Sequence, residues 1–569
     1  MYFVALATDY DGTLAEDGRV AEETVAALRS FRQSGRKLIL VTGRELPDLR
    51  RVFSHLDLFD AAVVENGAVL VDPATGDEIP LGEEPPALFV EELRRRNVTP
   101  LSVGRSIVAT WEPNEKIVLD TIHKLGLELQ IVFNKGAVMV LPAGVNKASG
   151  LAAALARLHL SPFSVVGIGD AENDHAFLRA CGCAVAVANA LPMVKAEAEI
   201  VTSAPRGAGV VETVRRILDG DLAEIAPTIE RQTVEIAHDP QGEPVRLHPQ
   251  CGGVLIAGTS GGGKSTAATG FVENIIERGF QLCVIDPEGD YTDLEGAIVL
   301  GDAKSKPRLP EIAELLGKPD QNVVVNLLGV DIAERPHFLS ELMPVLSRLR
   351  VETARPHWLV IDEAHHVLPS TWNGASVILP QEFAATVLIT VQPDHVATEV
   401  LQKTDYVLAL GSEADHSVSS FCKAVGEPAP AAFGQSIDRG QGLFWSRRSG
   451  KLKLVSTIEP RRDRQRHSRK YAEGELGEDK SFYFRGPDGA LNLRAQNLAL
   501  FVQIADGIDD RTWLYHLRAG DYSRWLRDKI KDGELAEDVA RIEGDEALTP
   551  LESRRRIKEA IESRYTSPA

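Results

Sequence analysis

At 569 residues the chain exceeds what one hydrophobic core supports, about 250–300 residues, so two large domains and a small third are expected. A composition 44% hydrophobic and 25% charged excludes a disordered or fibrous protein, and a net charge of -20 excludes a surface coated in basic residues for nucleic acid, while leaving room for a local basic channel. No run approaches the roughly 18–20 apolar residues that span a bilayer, and the start lacks the charged region and cleavage site of a signal peptide; the expectation is a cytoplasmic protein without a membrane partner.

In chain order, short apolar runs at residues 3–7, 37–41, 61–64, 164–168 and 184–187 alternate with amphipathic stretches, the pattern of a parallel sheet with crossover helices. Residues 87–141 break it with helical segments at 87–96 and 114–125 and strand-like runs at 106–111, 127–133 and 137–141, a small α/β lid. A polar connector follows, with a hairpin at 233–237 and 244–247 around Asp239-Pro240-Gln241-Gly242. A second α/β alternation spans 253–458, a basic run at 461–470 reads as a solvated linker, and 481–569 read as strand-like Phe482-Tyr483-Phe484 followed by helices. The expected domains are therefore 1–218 with a cap at about 83–143, a connector at 219–250, an α/β domain at 251–460, a linker at 461–480 and a small, mainly helical domain at 481–569. The five cysteines fit neither a disulfide framework nor a zinc site and are expected as buried apolar side chains.

The first strand opens into Asp9-Tyr10-Asp11-Gly12-Thr13-Leu14. Two carboxylates two residues apart at a strand end face one pocket, with Asp9 placed to attack phosphorus and Asp11 to handle the leaving-group proton. Thr42, in Thr42-Gly43-Arg44, offers a hydroxyl to a phosphoryl oxygen, and Lys147 opens a helix-like segment where its ammonium offsets phosphoryl charge. The strand at 164–168 ends in Gly169-Asp170-Ala171-Glu172-Asn173-Asp174, an acid cluster suited to oxygen-seeking Mg²⁺. His123 and His175 read as surface or structural residues, because this chemistry needs no imidazole.

These four motifs, in this order, resemble the haloacid dehalogenase superfamily over residues 1–214, in its Cof-like, type IIB branch, which includes sugar-phosphate phosphatases; Glu65-Asn66-Gly67-Ala68 and the cap add to the resemblance. It implies a Rossmann-like core with a small α/β cap, an aspartyl-phosphate on Asp9, Asp11 as acid and then base, and Thr42 and Lys147 holding the phosphoryl group. It also implies Mg²⁺ on the Asp9 carboxylate, the Asp11 backbone carbonyl and Asp170, supported by Asp174 and Asn173. The cap selects the substrate in that branch and is short here, so the leaving group stays open.

In the second alternation a strand at 253–257 leads into Gly258-Thr259-Ser260-Gly261-Gly262-Gly263-Lys264-Ser265, the phosphate-loop pattern at a helix N-terminus. Its amides cradle the phosphates of ATP, Lys264 reaches the β and γ phosphates, and the Ser265 hydroxyl ligates Mg²⁺. The strand at 358–361 ends in Asp362-Glu363-Ala364-His365-His366, with Asp362 as outer-sphere magnesium ligand and Glu363 polarising the attacking water. A strand at 386–389 leads to Gln392-Pro393, an amide placed to sense the γ-phosphate or orient water. With Asp286-Pro287-Glu288-Gly289-Asp290-Tyr291, these features resemble the HerA and FtsK class of P-loop motor ATPases over residues 253–456, which implies a RecA-like α/β domain. The barrel that precedes a HerA-type motor is reduced here to the short hairpin, which leaves translocation of nucleic acid open and ATP binding intact.

The expected function is a bifunctional hydrolase: a Mg²⁺-dependent phosphatase coupled to an ATPase that acts on something presented to it, with nucleic acid or nucleotides as possible cargo. The ATPase is expected to form a homo-oligomer, a hexameric ring, with Arg439, Arg447 or Arg448 reaching the neighbouring site. Rival readings are a sugar-phosphate phosphatase with a regulatory ATP-binding domain, a kinase and phosphatase fusion, and a nucleotide-dependent scaffold. In the tail, segments around Trp513, Tyr515, Tyr522 and Trp525 read as a helical core with charged outer faces rather than a base-stacking surface.

Overall fold

The computed structural model describes residues 1–259, 262–371, 383–438, 440–461, 481–487, 489, 491–530, 532–545 and 547–565. The chain divides into two compact units, Met1–Glu459 and Pro460–Ala569.

The first unit begins with β1 (Ala5–Thr8), β2 (Lys37–Val41), β3 (Ala61–Val64), β4 (Val69–Val71) and β5 (Glu78–Pro80). A cap follows, carrying β6 (Ser102–Val103), β7 (Val108–Trp111), β8 (Leu129–Asn134) and β9 (Ala137–Pro142), with helices Ala87–Arg95 and Glu115–Leu125. The chain then returns through β10 (Val165–Gly169), β11 (Cys183–Ala186) and β12 (Ile200–Val201). The main sheet runs β12-β11-β10-β1-β2-β3-β4-β5, parallel from β12 to β3. β1 and β10 lie at its centre and are buried along their length, which is why they read as unbroken apolar runs rather than alternating ones. The cap is an antiparallel sheet in the order β6-β7-β9-β8 with its own small core around Phe89, Leu93, Val118 and Val140.

The second half of this unit adds β13 (Val234–His238), β14 (Pro244–Leu247), β15 (Gly253–Gly258), β16 (Leu282–Asp286), β17 (Ala297–Leu300), β18 (Asn322–Asn326), β19 (Trp358–Ile361), β20 (Thr386–Thr390), β21 (Thr404–Leu410), β22 (Gln441–Ser446) and β23 (Leu452–Thr457). All eleven join one sheet, β14-β13-β23-β22-β21-β15-β20-β19-β16-β18-β17, parallel from β21 to β17 and antiparallel at the other edge. The hairpin expected in the connector, β13 and β14, is thus the sheet's edge: its apolar residues Val234, Ile236 and Leu247 pack into the core beneath the helix Lys264–Glu277.

The two sheets meet at the amino ends of their central strands. Phe163, before β10, stacks on Phe280, before β16, with ring centroids 4.2 Å apart, and His357, before β19, stands edge-on to Phe163, Phe280 and Tyr2. Arg355 is wholly buried and donates to the carbonyls of His159 (2.6 Å), Leu316 and Gly317 and to the Gln281 side-chain oxygen. These bonds to Nη1 and Nη2 are what sustain its charge in a dry place, while its buried Nε has no hydrogen-bond partner. Burial pushes its pKa below the usual arginine value and pushes His357 down to about 3, so that imidazole is neutral.

The second unit has a hairpin of β24 (Phe482–Phe484) and β25 (Leu493–Ala495) and helices including Leu498–Gly507, Asp510–Ala519, Gly533–Glu543 and Pro550–Tyr565. Phe482, Phe484, Phe501, Trp513, Tyr522 and Trp525 are buried together, so most aromatics of the tail form a core; Tyr515 is exposed. All five cysteines are free and buried, and among the described residues no helix is long and apolar enough to cross a membrane.

Candidate functional site

Two sites arise, each at the carboxyl end of a parallel sheet. In the first, Asp9 follows β1 and Asp170 follows β10, and pairing of those strands brings the two acids together. Lys147 arrives from a helix whose start is fixed by a capping box: the Asn146 side chain accepts from the amides of Ala148 and Ser149, and Ser149 returns a hydroxyl. Gly67, at φ 107°, allows this approach, since a Cβ there would lie 1.9 Å from the Asn146 carbonyl oxygen.

The Lys147 ammonium is buried and donates to Asp9 Oδ1 and Asp174 Oδ1, both at 2.6 Å. Burial opposes its charge, but Asp174 and Asp9 together raise its pKa. Burial pushes Asp9 above the carboxylate range, Asp174 adds to the rise, and Lys147 pulls it back. The second Asp174 oxygen accepts from the amides of Asp170 and Ala171, so Asp174 is fully engaged in shaping the cluster. Asp170 accepts from Thr13 Oγ1 at 3.1 Å and from Lys135 Nζ at 2.6 Å. Asp9, Asp170 and Asp174 each offer an oxygen within 4.8 Å of the others. Three buried carboxylates whose mutual repulsion raises Asp9 form a donor set of the hard, anionic kind that suits Mg²⁺.

Thr42 is fully buried beside this cluster, its hydroxyl accepting from the Arg44 amide. Arg44 donates to both Asp11 carboxylate oxygens at 2.7 Å and also pairs with Asp48. Glu65 and Asn66 gain a physical meaning: the Glu65 carboxylate accepts from the amides of Arg105 and Ser106 in the cap, while Asn66 Oδ1 accepts from Asn173. The motif therefore ties cap, core and acid loop together. Thr13, Arg44 and Glu65 stood inside the quoted motifs without a role of their own, and Lys135 is a partner that motif reasoning did not single out. Lys135 sits in the Asn134-Lys135-Gly136 turn between β8 and β9, a position that local sequence marks as a turn without saying what the turn faces.

In the second site, β20 lies between β15 and β19. That order brings the ends carrying Gly258, Gln392 and Asp362 side by side. Gly263, at φ 94°, caps the helix that starts at Lys264, and Lys264 Nζ donates to the Thr259 carbonyl at 3.2 Å. Gly262 lies in the described part of the loop and Ser265 in the first helical turn; Ser260 and Gly261 lie outside the described residues. Asp362 accepts from the Glu363 amide, and Glu363 adopts a left-handed conformation. His365 Nδ1 lies 3.4 Å from Glu363 Oε2 and 3.2 Å from Thr390 Oγ1, with a pKa pushed down to about 4 by burial and by His366. Gln392 is exposed at the sheet's carboxyl edge. Asp286 accepts from the amides of Gly289, Asp290 and Tyr291, so the Asp-Pro-Glu-Gly-Asp-Tyr acid holds a turn.

The arginine candidates divide by position. β22 runs antiparallel to β21, so Arg447 and Arg448, after β22, lie at the end of the sheet away from the phosphate loop. Arg447 is also locked to Glu427 and to backbone carbonyls, which removes it as a reaching arginine. Arg439 lies outside the described residues.

A haloacid dehalogenase-like hydrolase family model matches residues 6–98 and 111–214, and a model of the HerA helicase central domain matches 253–334, ending before Asp362. Phosphoglycolate phosphatase 2 of Saccharolobus solfataricus is 33% identical over 233 residues, 39% of this chain and 95% of that protein. A phosphoglycolate phosphatase of Methanothermobacter thermautotrophicus is 33% identical over 224 residues, 38% of this chain and 98% of its own length. A solved haloacid dehalogenase-like hydrolase from Bacteroides thetaiotaomicron superposes with TM-score 0.34 at 17% identity, covering 38% of this chain and 99% of that one.

Proposed function

The chain belongs to the haloacid dehalogenase-like hydrolases through its first 214 residues, and from that premise we propose that it is a Mg²⁺-dependent phosphomonoesterase built onto a HerA-like ATPase. The observation that carries the phosphatase is Lys147 held between Asp9 and Asp174, with Asp170 closing the acid cluster. In this reading Asp9 attacks phosphorus and the ester P–O bond breaks. The leaving oxygen takes a proton from Asp11; water, deprotonated by the same carboxyl, then cleaves the aspartyl-phosphate, releasing phosphate and restoring Asp9. Thr42 and Lys147 hold the phosphoryl oxygens. Asp9, the Asp11 carbonyl and Asp170 would hold Mg²⁺, which supplies charge neutralisation for the phosphoryl oxygens. Both Asp11 oxygens are bonded to Arg44, so proton transfer requires one of these bonds to open.

For the second half, the amides of Gly258, Thr259, Ser260, Gly261, Gly262 and Gly263 with Lys264 bind the phosphates of ATP, Ser265 and Asp362 serve its Mg²⁺, and Glu363 and Gln392 orient water. His365 Nδ1 lies between Glu363 and Thr390, 3.4 Å from the carboxylate and 3.2 Å from the hydroxyl. A ring of copies acting on nucleic acid remains part of this proposal, with Arg439 the candidate left once Arg447 and Arg448 lie at the end of the sheet away from the phosphate loop. The small phosphorylated acids named for the relatives, rather than sugar phosphates, are the first substrates to test. Phosphate release from phosphoglycolate, sugar phosphates and phosphorylated DNA ends, with Mg²⁺ and with EDTA, with and without ATP, tests the phosphatase. ATP turnover with and without DNA, alongside light scattering, tests the ATPase. Phosphomonoester turnover that persists in EDTA overturns the Mg²⁺ reading, and a strictly monomeric, fully active ATPase overturns the ring.

A further inference from the structure

Among the residues around Asp9, Lys135 is the one that comes from the cap. Its backbone is fixed in a tight turn, Lys135 at φ 49° and Gly136 at φ 87°, so the side chain leaves the cap at a set point above the core. Its ammonium reaches 2.6 Å from Asp170 Oδ2 and 3.4 Å from the Asp11 carbonyl, and it lies 2.7 Å from where a Cβ on Gly12 would stand. The side chain is still 44% exposed, so it lines the mouth of the site rather than its floor.

The other two cations here are committed. Lys147 is bonded to Asp9 and Asp174, and Arg44 to Asp11 and Asp48. Lys147 shares Asp9 with the proposed Mg²⁺ site but is anchored by Asp174 as well, whereas both partners of Lys135, Asp170 and the Asp11 carbonyl, are groups that the proposed function assigns to Mg²⁺. Asp170 and the Asp11 carbonyl, when engaged by Mg²⁺, would release the ammonium, which the turn keeps in the mouth. A cation in the mouth, this close to the residue proposed to handle the leaving-group proton, would be met by a substrate anion one or two bonds from the ester oxygen.

We propose that Lys135 is a specificity-determining residue that binds the carboxylate of a small phosphorylated acid, forming a cap-borne anion subsite beside the phosphoryl site. The inference rests on the phosphatase reading, and its substrate class is a phosphate ester with a carboxylate on the adjacent carbon. The cation pairs with the carboxylate and gains less from an uncharged group of equal size.

The test compares phosphoglycolate with ethyl phosphate, which has the same chain length and lacks the carboxylate. In the full chain, Lys135→Met should lower the ratio of kcat/KM for phosphoglycolate to that for ethyl phosphate by about 10–100-fold, and Lys135→Arg should restore most of it. Titration calorimetry in an Asp9→Asn background reads binding without turnover: Lys135→Met should weaken phosphoglycolate by a similar factor more than ethyl phosphate, and should tighten Mg²⁺ binding by removing its competitor at Asp170. An unchanged ratio, an equal loss for both esters, or no detectable binding of phosphoglycolate overturns the subsite. If no phosphomonoester is hydrolysed, the phosphatase reading fails separately and calorimetry still decides Lys135.

Discussion

The two halves of the first unit place chemistry at the same kind of position, the carboxyl end of a parallel sheet, but assemble it differently. Around Asp9 the site is made of side chains that compensate one another: two ammonium groups, a guanidinium and four carboxylates meet in direct ion pairs. Around Lys264 the proposed site is a glycine-rich loop whose amides would hold the phosphates, and the lysine turns to a loop carbonyl. A site of interlocked charges is formed before its substrate arrives, whereas an amide cradle gets its organising charge from the phosphate itself. Single substitutions should therefore hurt the first site through lost charge balance and the second through lost ligand contacts.

The sharpest break of that comparison is Asp9→Asn. It removes the nucleophile and should lower phosphomonoester turnover by about 10⁴-fold or more while ATP turnover stays within twofold. Equal loss of both activities in a folded protein would show that the two sites are not separable. Next in size, Lys264→Ala should lower ATP turnover by about 10²–10³-fold, and Glu363→Gln should retain ATP in a filter-binding assay while hydrolysis stalls. Normal turnover by Glu363→Gln would move water activation elsewhere.

Arg355→Met tests what the halves share. Loss of a buried guanidinium removes its donors from the carbonyls of His159 and Gly317, leaving Leu316 with Gln281 Nε2 alone, and should cost about 3 kcal/mol in urea unfolding, with both activities lost at one midpoint. Two well-separated midpoints in the wild-type protein would contradict unfolding of the halves through a shared joint.

The smallest expected effect is one of pH. His357 is neutral in the fold, with its pKa lowered from 6.5 to about 3, so the unfolded chain binds more protons between those values. Its contribution is fully present above about pH 6.5 and is lost as pH falls toward 3, roughly 2 kcal/mol between pH 6.5 and 5. His357→Asn, whose amide oxygen can take the Gln281 N–H, should flatten that slope in thermal unfolding. An identical slope in both proteins would remove His357 from the acid response.

Much of this was legible in the sequence, because unbroken apolar runs ending in Asp or Gly mark buried parallel strands and their functional ends. The cap's two helices and the strands β7, β8 and β9 fell close to the expected segments for the same reason. What local pattern could not carry was tertiary partnership. The hairpin of β13 and β14 read as a connector because its alternation is that of any edge strand, and only its pairing with β23 puts it in the sheet. Arg447 read as an available charge because its lock, Glu427, lies twenty residues upstream. The Asp286 motif counted toward the family resemblance without a role, and the role appears only in the fold, where its carboxylate accepts from three amides and holds a turn.

The stacked rings of Phe163 and Phe280 mark where the two sheets join, at the amino ends of β10 and β16. Each set of reacting groups therefore lies a full strand length beyond the joint, on the order of 30 Å from the other. Whatever one half presents to the other has that distance to cross. The joint itself offers a mechanical path: a shift of β16 or β19 during ATP turnover would bear on the roots of β1 and β10 and be felt at Asp9 as a change of rate.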